Sequence, residues 1–181
     1  MENKVDIIDE QGNPTGKTAD KDTVHRKGLL HRNVHVWAVT PKGEVLMQKR
    51  SASCYSYPGY WDISCAGHID AGENTQTAAM REVQEELGLR IGPKDLEHLL
   101  TYHEDIPIGN NGWREVSVSD VYLFQRDITR HDITFPEEEI SAIRFIPYTA
   151  FVDLLQNNRD SLPPHGQEFD KLLEVLKERF G

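Results

Sequence analysis

The stretch that decides the fold is Gly67-His68-Ile69-Asp70-Ala71-Gly72-Glu73-Asn74-Thr75-Gln76-Thr77-Ala78-Ala79-Met80-Arg81-Glu82-Val83-Gln84-Glu85-Glu86-Leu87-Gly88-Leu89. Thr75 to Leu87 carries helical periodicity, with Asn74 as N-cap and Gly88 where helices favour a left-handed residue. At about 100° per residue, Glu82, Glu85 and Glu86 fall within roughly a 100° arc, while Met80, Val83 and Leu87 gather on another face. The apolar face is therefore expected to dock on a sheet while the carboxylates project together. Like charges at i and i+4 cost about 0.2–0.5 kcal/mol per solvated pair, so a cation is expected among them. Magnesium suits the position, because it takes oxygen ligands and bridges one or two carboxylates to phosphate oxygens. Gly67 and Gly72 bracket a loop that can approach a metal closely, which makes the Gly67 carbonyl a candidate ligand. Arg81 stands beside Glu82 and one helical turn from Glu85, placed to hold a carboxylate through a bidentate pair. Glu73 is its natural partner or an outer-shell ligand.

Working outward, Val5–Asp9 and Val34–Val39 read as strands, and Pro41-Lys42-Gly43-Glu44 turns the chain into Val45–Arg50, predicting a hairpin. Trp61–Ala66, Val116–Phe124 and Ile140–Ile146 read as further strands, and Tyr148–Gln156 and Gly166–Arg179 as helices packed outside. Helices interleaved with short hairpin loops predict an α/β protein with a mixed sheet covered on both faces. Without repeats, low-complexity tracts or a long linker, residues 1–181 are expected to form one domain.

A formal charge of −10 and a pI near 5.2 exclude nucleic-acid binding through clustered basic residues. An acidic protein that handles phosphates needs a cation between the like charges. No apolar run approaches the roughly 20 residues of a membrane span. The N-terminus lacks a secretory signal, so a cytoplasmic location is expected, with Cys54 and Cys65 reduced.

The spacing Gly-x5-Glu-x7-Arg-Glu-aliphatic-x-Glu-Glu-x-Gly-aliphatic, met at every position across 67–89, resembles the signature of the Nudix hydrolases. Its fixed residues would coincide by chance at roughly one in 10⁸ starting points. The resemblance implies an α/β/α sandwich and magnesium- or manganese-dependent hydrolysis of a diphosphate linkage in a nucleoside diphosphate derivative or similar small molecule. Carried over by position, Glu82, Glu85, Glu86 and the Gly67 carbonyl would hold the metal. Glu82 or a metal-bound hydroxide would activate water, and Arg81 would orient Glu82 or Glu73. Many members are homodimers.

Beyond this box, residues 9–16, His25, Leu30-His31-Arg32, Gln48-Lys49-Arg50-Ser51, Tyr57-Pro58-Gly59-Tyr60-Trp61 and Cys65-Ala66-Gly67-His68 are similar to isopentenyl diphosphate isomerase and the hydrolases nearest to it. In that reading 1–32 is an N-terminal extension. The isomerase carries a histidine and glutamate metal site, which His25, His31 and His68 could mark here; taken singly, each is more often a core or surface histidine. Two departures favour hydrolysis. The isomerase thiol lies immediately before the Gly-His pair, where this chain has Ala66; Cys65 is one residue earlier and turns to the opposite face of a strand. Glutamates two apart on a later strand are also required, and only Glu115 is present. Lys49 and Arg50, at a strand end, are candidate phosphate contacts, Glu137-Glu138-Glu139 could add a ligand or base, and His35 is expected simply to alternate in its strand.

Overall fold

A computed structural model describes residues 4–109 and 111–181. The elements run β1 (Lys4–Ile8), β2 (Pro14–Asp20), α1 (Lys21–Lys27), β3 (His31–Val39), β4 (Glu44–Arg50), β5 (Trp61–Asp62), β6 (Cys65–His68), α2 (Thr75–Leu87), β7 (Glu97–Ile108), β8 (Trp113–Gln125), β9 (Ile140–Pro147), α3 (Tyr148–Asn157) and α4 (Gly166–Phe180). β1 and β2 form a separate antiparallel ribbon; the remaining strands form one mixed sheet, in which β3 and β8 are parallel and the other pairs antiparallel.

Alternation along β3 builds both layers. Val34, Val36 and Ala38 pack under α2, together with Leu46, Cys65, Val83 and Leu87. Trp37 and Val39 face the other way, into a core with Met47, Phe151, Phe169, Leu172 and Leu176 from β4, α3 and α4. Burying large side chains such as these stabilises each layer by roughly 1.5–3 kcal/mol per residue, an upper-bound figure because unfolded chains are already partly compact. The result is the expected α/β/α sandwich.

α2 has the expected bounds. The Asn74 side chain accepts from the Thr77 N–H, and Gly88, at φ 70, closes the helix in the left-handed region. The hairpin expectation holds only at its base: β3 and β4 pair at Val39↔Val45 alone, and β4 is otherwise laddered to β9 and β5. β6 instead pairs with Asn33–Val36. The two strands thus splay toward the His31 and Arg50 ends, and this opening receives the functional side chains.

Candidate active site

Glu82 and Glu86 lie one helical turn apart on α2 and are buried, at 6% and 8% exposure. Glu86 Oε2 accepts from the Ala66 N–H and from Gln48 Nε2, each at 3.3 Å. Gly67 lies directly against Glu82: a Cβ there would come within 2.0 Å of the carboxylate, so any side chain would push Glu82 out of place. Burial, and to a lesser degree repulsion from Glu85, raises Glu82 to about 7 despite the neighbouring Arg81. Burial pushes Glu86 well above the usual carboxylate range, helped by repulsion from Glu82 and Glu139. Two desolvated carboxylates that repel one another, with too little positive charge, form a donor set that fits a hard divalent ion.

Arg81 organises the rest. It donates to both oxygens of Glu73, at 3.2 and 2.9 Å, to Glu82 at 2.6 Å, to Glu85 at 3.1 Å and to the His68 carbonyl at 2.9 Å. Burial opposes its charge, but these acceptors outweigh burial and hold the guanidinium above its ordinary value. Glu85 differs from its neighbours, since its side chain is 57% exposed and turned toward Arg81. The cavity beside this face, of about 330 Å³, is lined by Lys21, Gln48, Arg50, Cys54, Glu86 and Glu139 among others.

A second centre lies around Glu115 on β8. His25 Nε2 and His31 Nε2 each stand 3.1 Å from its oxygens, His68 Nε2 stands 3.1 Å from His25 Nε2, and all four groups could hold one ion. The remaining nitrogens are oriented elsewhere: His31 Nδ1 toward the Leu29 carbonyl at 2.9 Å and His25 Nδ1 toward the Tyr55 hydroxyl at 3.0 Å. Burial would raise Glu115, yet the bonds from His25 and His31 prevail and hold it well below the usual range. His25 arrives on α1, so that helix brings a residue into this site.

The other residues singled out from the sequence divide by what they touch. Arg50 lines two cavities bordered by Ala66 and His68, but its guanidinium is bound to Ser56 and Asp62. Lys49 is absent from the walls of both. Cys65 is wholly buried under α2, with its thiol raised by burial, and Ala66 takes the cavity-facing place. His35 does more than alternate: its Nδ1 meets Glu168 Oε2 at 2.7 Å in a buried network with His165. Sequence reasoning also missed Lys21, Asp62, Glu104, His165 and Glu168. A signal for the face they share was the run of polar residues His31, Asn33 and His35 at period two in β3.

Residues 29–167 match the NUDIX domain family model. The chain is 34% identical over 184 residues to Nudix hydrolase 3 of Arabidopsis thaliana, covering 98% of this chain but 24% of that protein. It is also 34% identical over 145 residues to the isopentenyl-diphosphate Delta-isomerase of Ruegeria pomeroyi, covering 80% and 78%. The crystal structure of DR0079 from Deinococcus radiodurans superposes with a TM-score of 0.70 at 20% identity, covering 98% of this chain and 99% of the other. With its complete box on α2, the sandwich fold and these matches, the chain belongs to the NUDIX domain family of hydrolases.

Proposed function

We propose that this protein is a magnesium-dependent hydrolase of a diphosphate linkage in a nucleoside diphosphate derivative or a similarly phosphorylated small molecule. The observation that carries this reading is the pair of buried, mutually repelling carboxylates Glu82 and Glu86, of which Glu86 lines a cavity that also holds Lys21 and Arg50. Glu82, Glu85, Glu86 and the Gly67 carbonyl would hold magnesium or manganese, which when bound supplies a Lewis acid to the phosphoryl oxygens. Glu82 or a metal-bound hydroxide would activate the water. Glu139, close enough to Glu86 to repel it, is a further proton acceptor at the same wall. Arg81 fixes Glu82 and Glu73, and Lys21 and Arg50 offset negative charge on the substrate. Incubation with nucleoside diphosphates, triphosphates and diphosphate conjugates should release phosphate or monophosphate with magnesium and not with chelator. Equal turnover under both conditions, or none with any compound, would overturn the reading.

The histidine centre around Glu115 favours a second reading, isopentenyl diphosphate isomerase. Against it stand the burial of Cys65 away from the cavity and the single glutamate on β8. That reading predicts conversion of isopentenyl diphosphate to its allylic isomer, lost in Cys65→Ser.

A further inference from the structure

On the same face of β3 as His31 and Asn33, His35 meets two residues of the segment that opens α4, His165 and Glu168. Ligating atoms of the three lie within 4.8 Å of one another, and all three are buried. His165 Nε2 meets Asp62 Oδ1 at 2.7 Å, which turns Nδ1 inward. That Nδ1 is buried without a hydrogen-bond partner. What it faces are two acceptors, Glu104 Oε1 at 3.7 Å and Glu168 Oε2 at 3.9 Å. The Tyr102 hydroxyl lies 2.6 Å from Glu104 Oε1 and 2.9 Å from Glu168 Oε2, and its one proton can serve only one of them.

An inward Nδ1 opposite two carboxylates requires positive charge there, supplied in the metal-free protein by the imidazolium that Asp62, Glu104 and Glu168 favour and open to replacement by a metal ion that displaces the Nδ1 proton. A proton on Nδ1 serves this imperfectly, because separations beyond about 3.6 Å are not hydrogen bonds. Two ligand atoms held about 2.0–2.2 Å from a shared zinc ion, in contrast, lie about 3–4 Å apart; the His35 Nδ1–Glu168 Oε2 pair, hydrogen-bonded at 2.7 Å without an ion, would open to that spacing on binding. The surroundings also match a metal's outer shell. Asp62 orients His165 in a carboxylate–histidine arrangement, and Trp37 Nε1 donates to Glu168 Oε1 at 2.6 Å, turning Oε2 inward.

We propose that His35, His165 and Glu168 form a binding site for a zinc-class divalent ion, separate from the α2 carboxylates and from the centre around Glu115. Two imidazoles and one carboxylate select a borderline ion over magnesium. Three protein ligands leave a coordination position open, as in hydrolytic zinc sites. That position faces a cavity of about 170 Å³ lined by His35, His165 and Glu104, whose far wall includes His68 and Glu115. The ion would hold a water or a polar group of the substrate at the cavity floor.

The test is metal content. Full-length protein is stripped with chelator, loaded with zinc in excess magnesium to keep the α2 carboxylates occupied, desalted and assayed by elemental analysis. A His25→Ala/His31→Ala variant should retain one equivalent of zinc, and adding His165→Gln should remove it. Asp62→Asn should weaken that equivalent about 10–100-fold. Loss of all zinc from the double variant, or its full retention after His165→Gln, overturns the proposal. Anomalous scattering at the zinc edge from crystals of the unmutated protein decides the matter without any variant. Density among His35, His165 and Glu168 supports the site, and density confined to other positions sinks it.

Discussion

The α2 face and the Glu115 centre bury carboxylates in opposite ways. At Glu82 and Glu86 burial pushes both carboxyls up, aided by like-charged neighbours and, at Glu82, in spite of Arg81. At Glu115, imidazoles from α1, β3 and β6 surround one carboxylate and push it down. Burial pushes all three carboxyls up; whether it prevails depends on how much opposing charge and hydrogen bonding the partners supply, which is too little at Glu82 and Glu86 and ample at Glu115. The α2 face is unstable in isolation and poised for a cation, whereas at the Glu115 centre neighbouring imidazoles compensate the carboxylate's burial.

The contrast breaks most readily at Glu86. Glu86→Gln removes the charge while keeping a side chain of the same shape beside Gln48 and Ala66, and hydrolysis should fall on the order of 10²–10⁴-fold with the fold intact. Steady-state rates together with far-UV circular dichroism check this; near-normal turnover would remove the α2 face from the chemistry.

The opposite shifts also predict opposite pH dependences of stability for metal-free protein. Glu82 in the folded state sits near 7 against an ordinary 4.5, so between these values the folded chain binds more protons than the unfolded one. Its stability contribution is present below about pH 4.5 and is lost as pH rises to 7, by about 3 kcal/mol at 1.36 kcal/mol per unit. Glu115 acts in the reverse direction: its contribution is present above the ordinary carboxylate value and is lost as pH falls below it. Chelated Glu82→Gln should therefore be more stable than the parent at pH 8 and equal to it at pH 4, and magnesium should erase the difference. Urea denaturation at the two pH values measures it, and a variant no more stable than the parent at pH 8 would show that Glu82 carries no buried-charge penalty.

The smallest expected effect sharpens the role of the organiser. Arg81→Lys keeps the charge but cannot span Glu73, Glu82, Glu85 and the His68 carbonyl at once, so kcat should drop about 10–100-fold with little change in KM. A pure KM effect would instead assign Arg81 to substrate contact.

The α2 segment was legible because everything that specifies it is local. Asn74, Gly88 and the apolar spacing of Val83 and Leu87 fix the helix within one stretch of chain, and with it the angular grouping of its acids. β7 and α1 were not legible: the alternating polar residues of β7 become a strand through the ladder that β8 supplies, and seven residues of α1 carry too short a period to register. The trio of glutamates read as equivalent in one dimension, but packing separates them. Glu82 and Glu86 are pressed against Gly67 and Ala66, while Glu85 is left in solvent.

By itself, then, the sequence determined the family signature, the acid-bearing helix and the displacement of Cys65 from the cavity, because spacing along one element follows from the period of a helix or strand. Only the tertiary structure decided that His25, His31, His68 and Glu115 meet, and that His35 joins His165 and Glu168 from more than a hundred residues away. Such meetings depend on how β3 and β4 splay and which elements fill the opening, and no local propensity encodes distances between segments that first approach one another in the packed core.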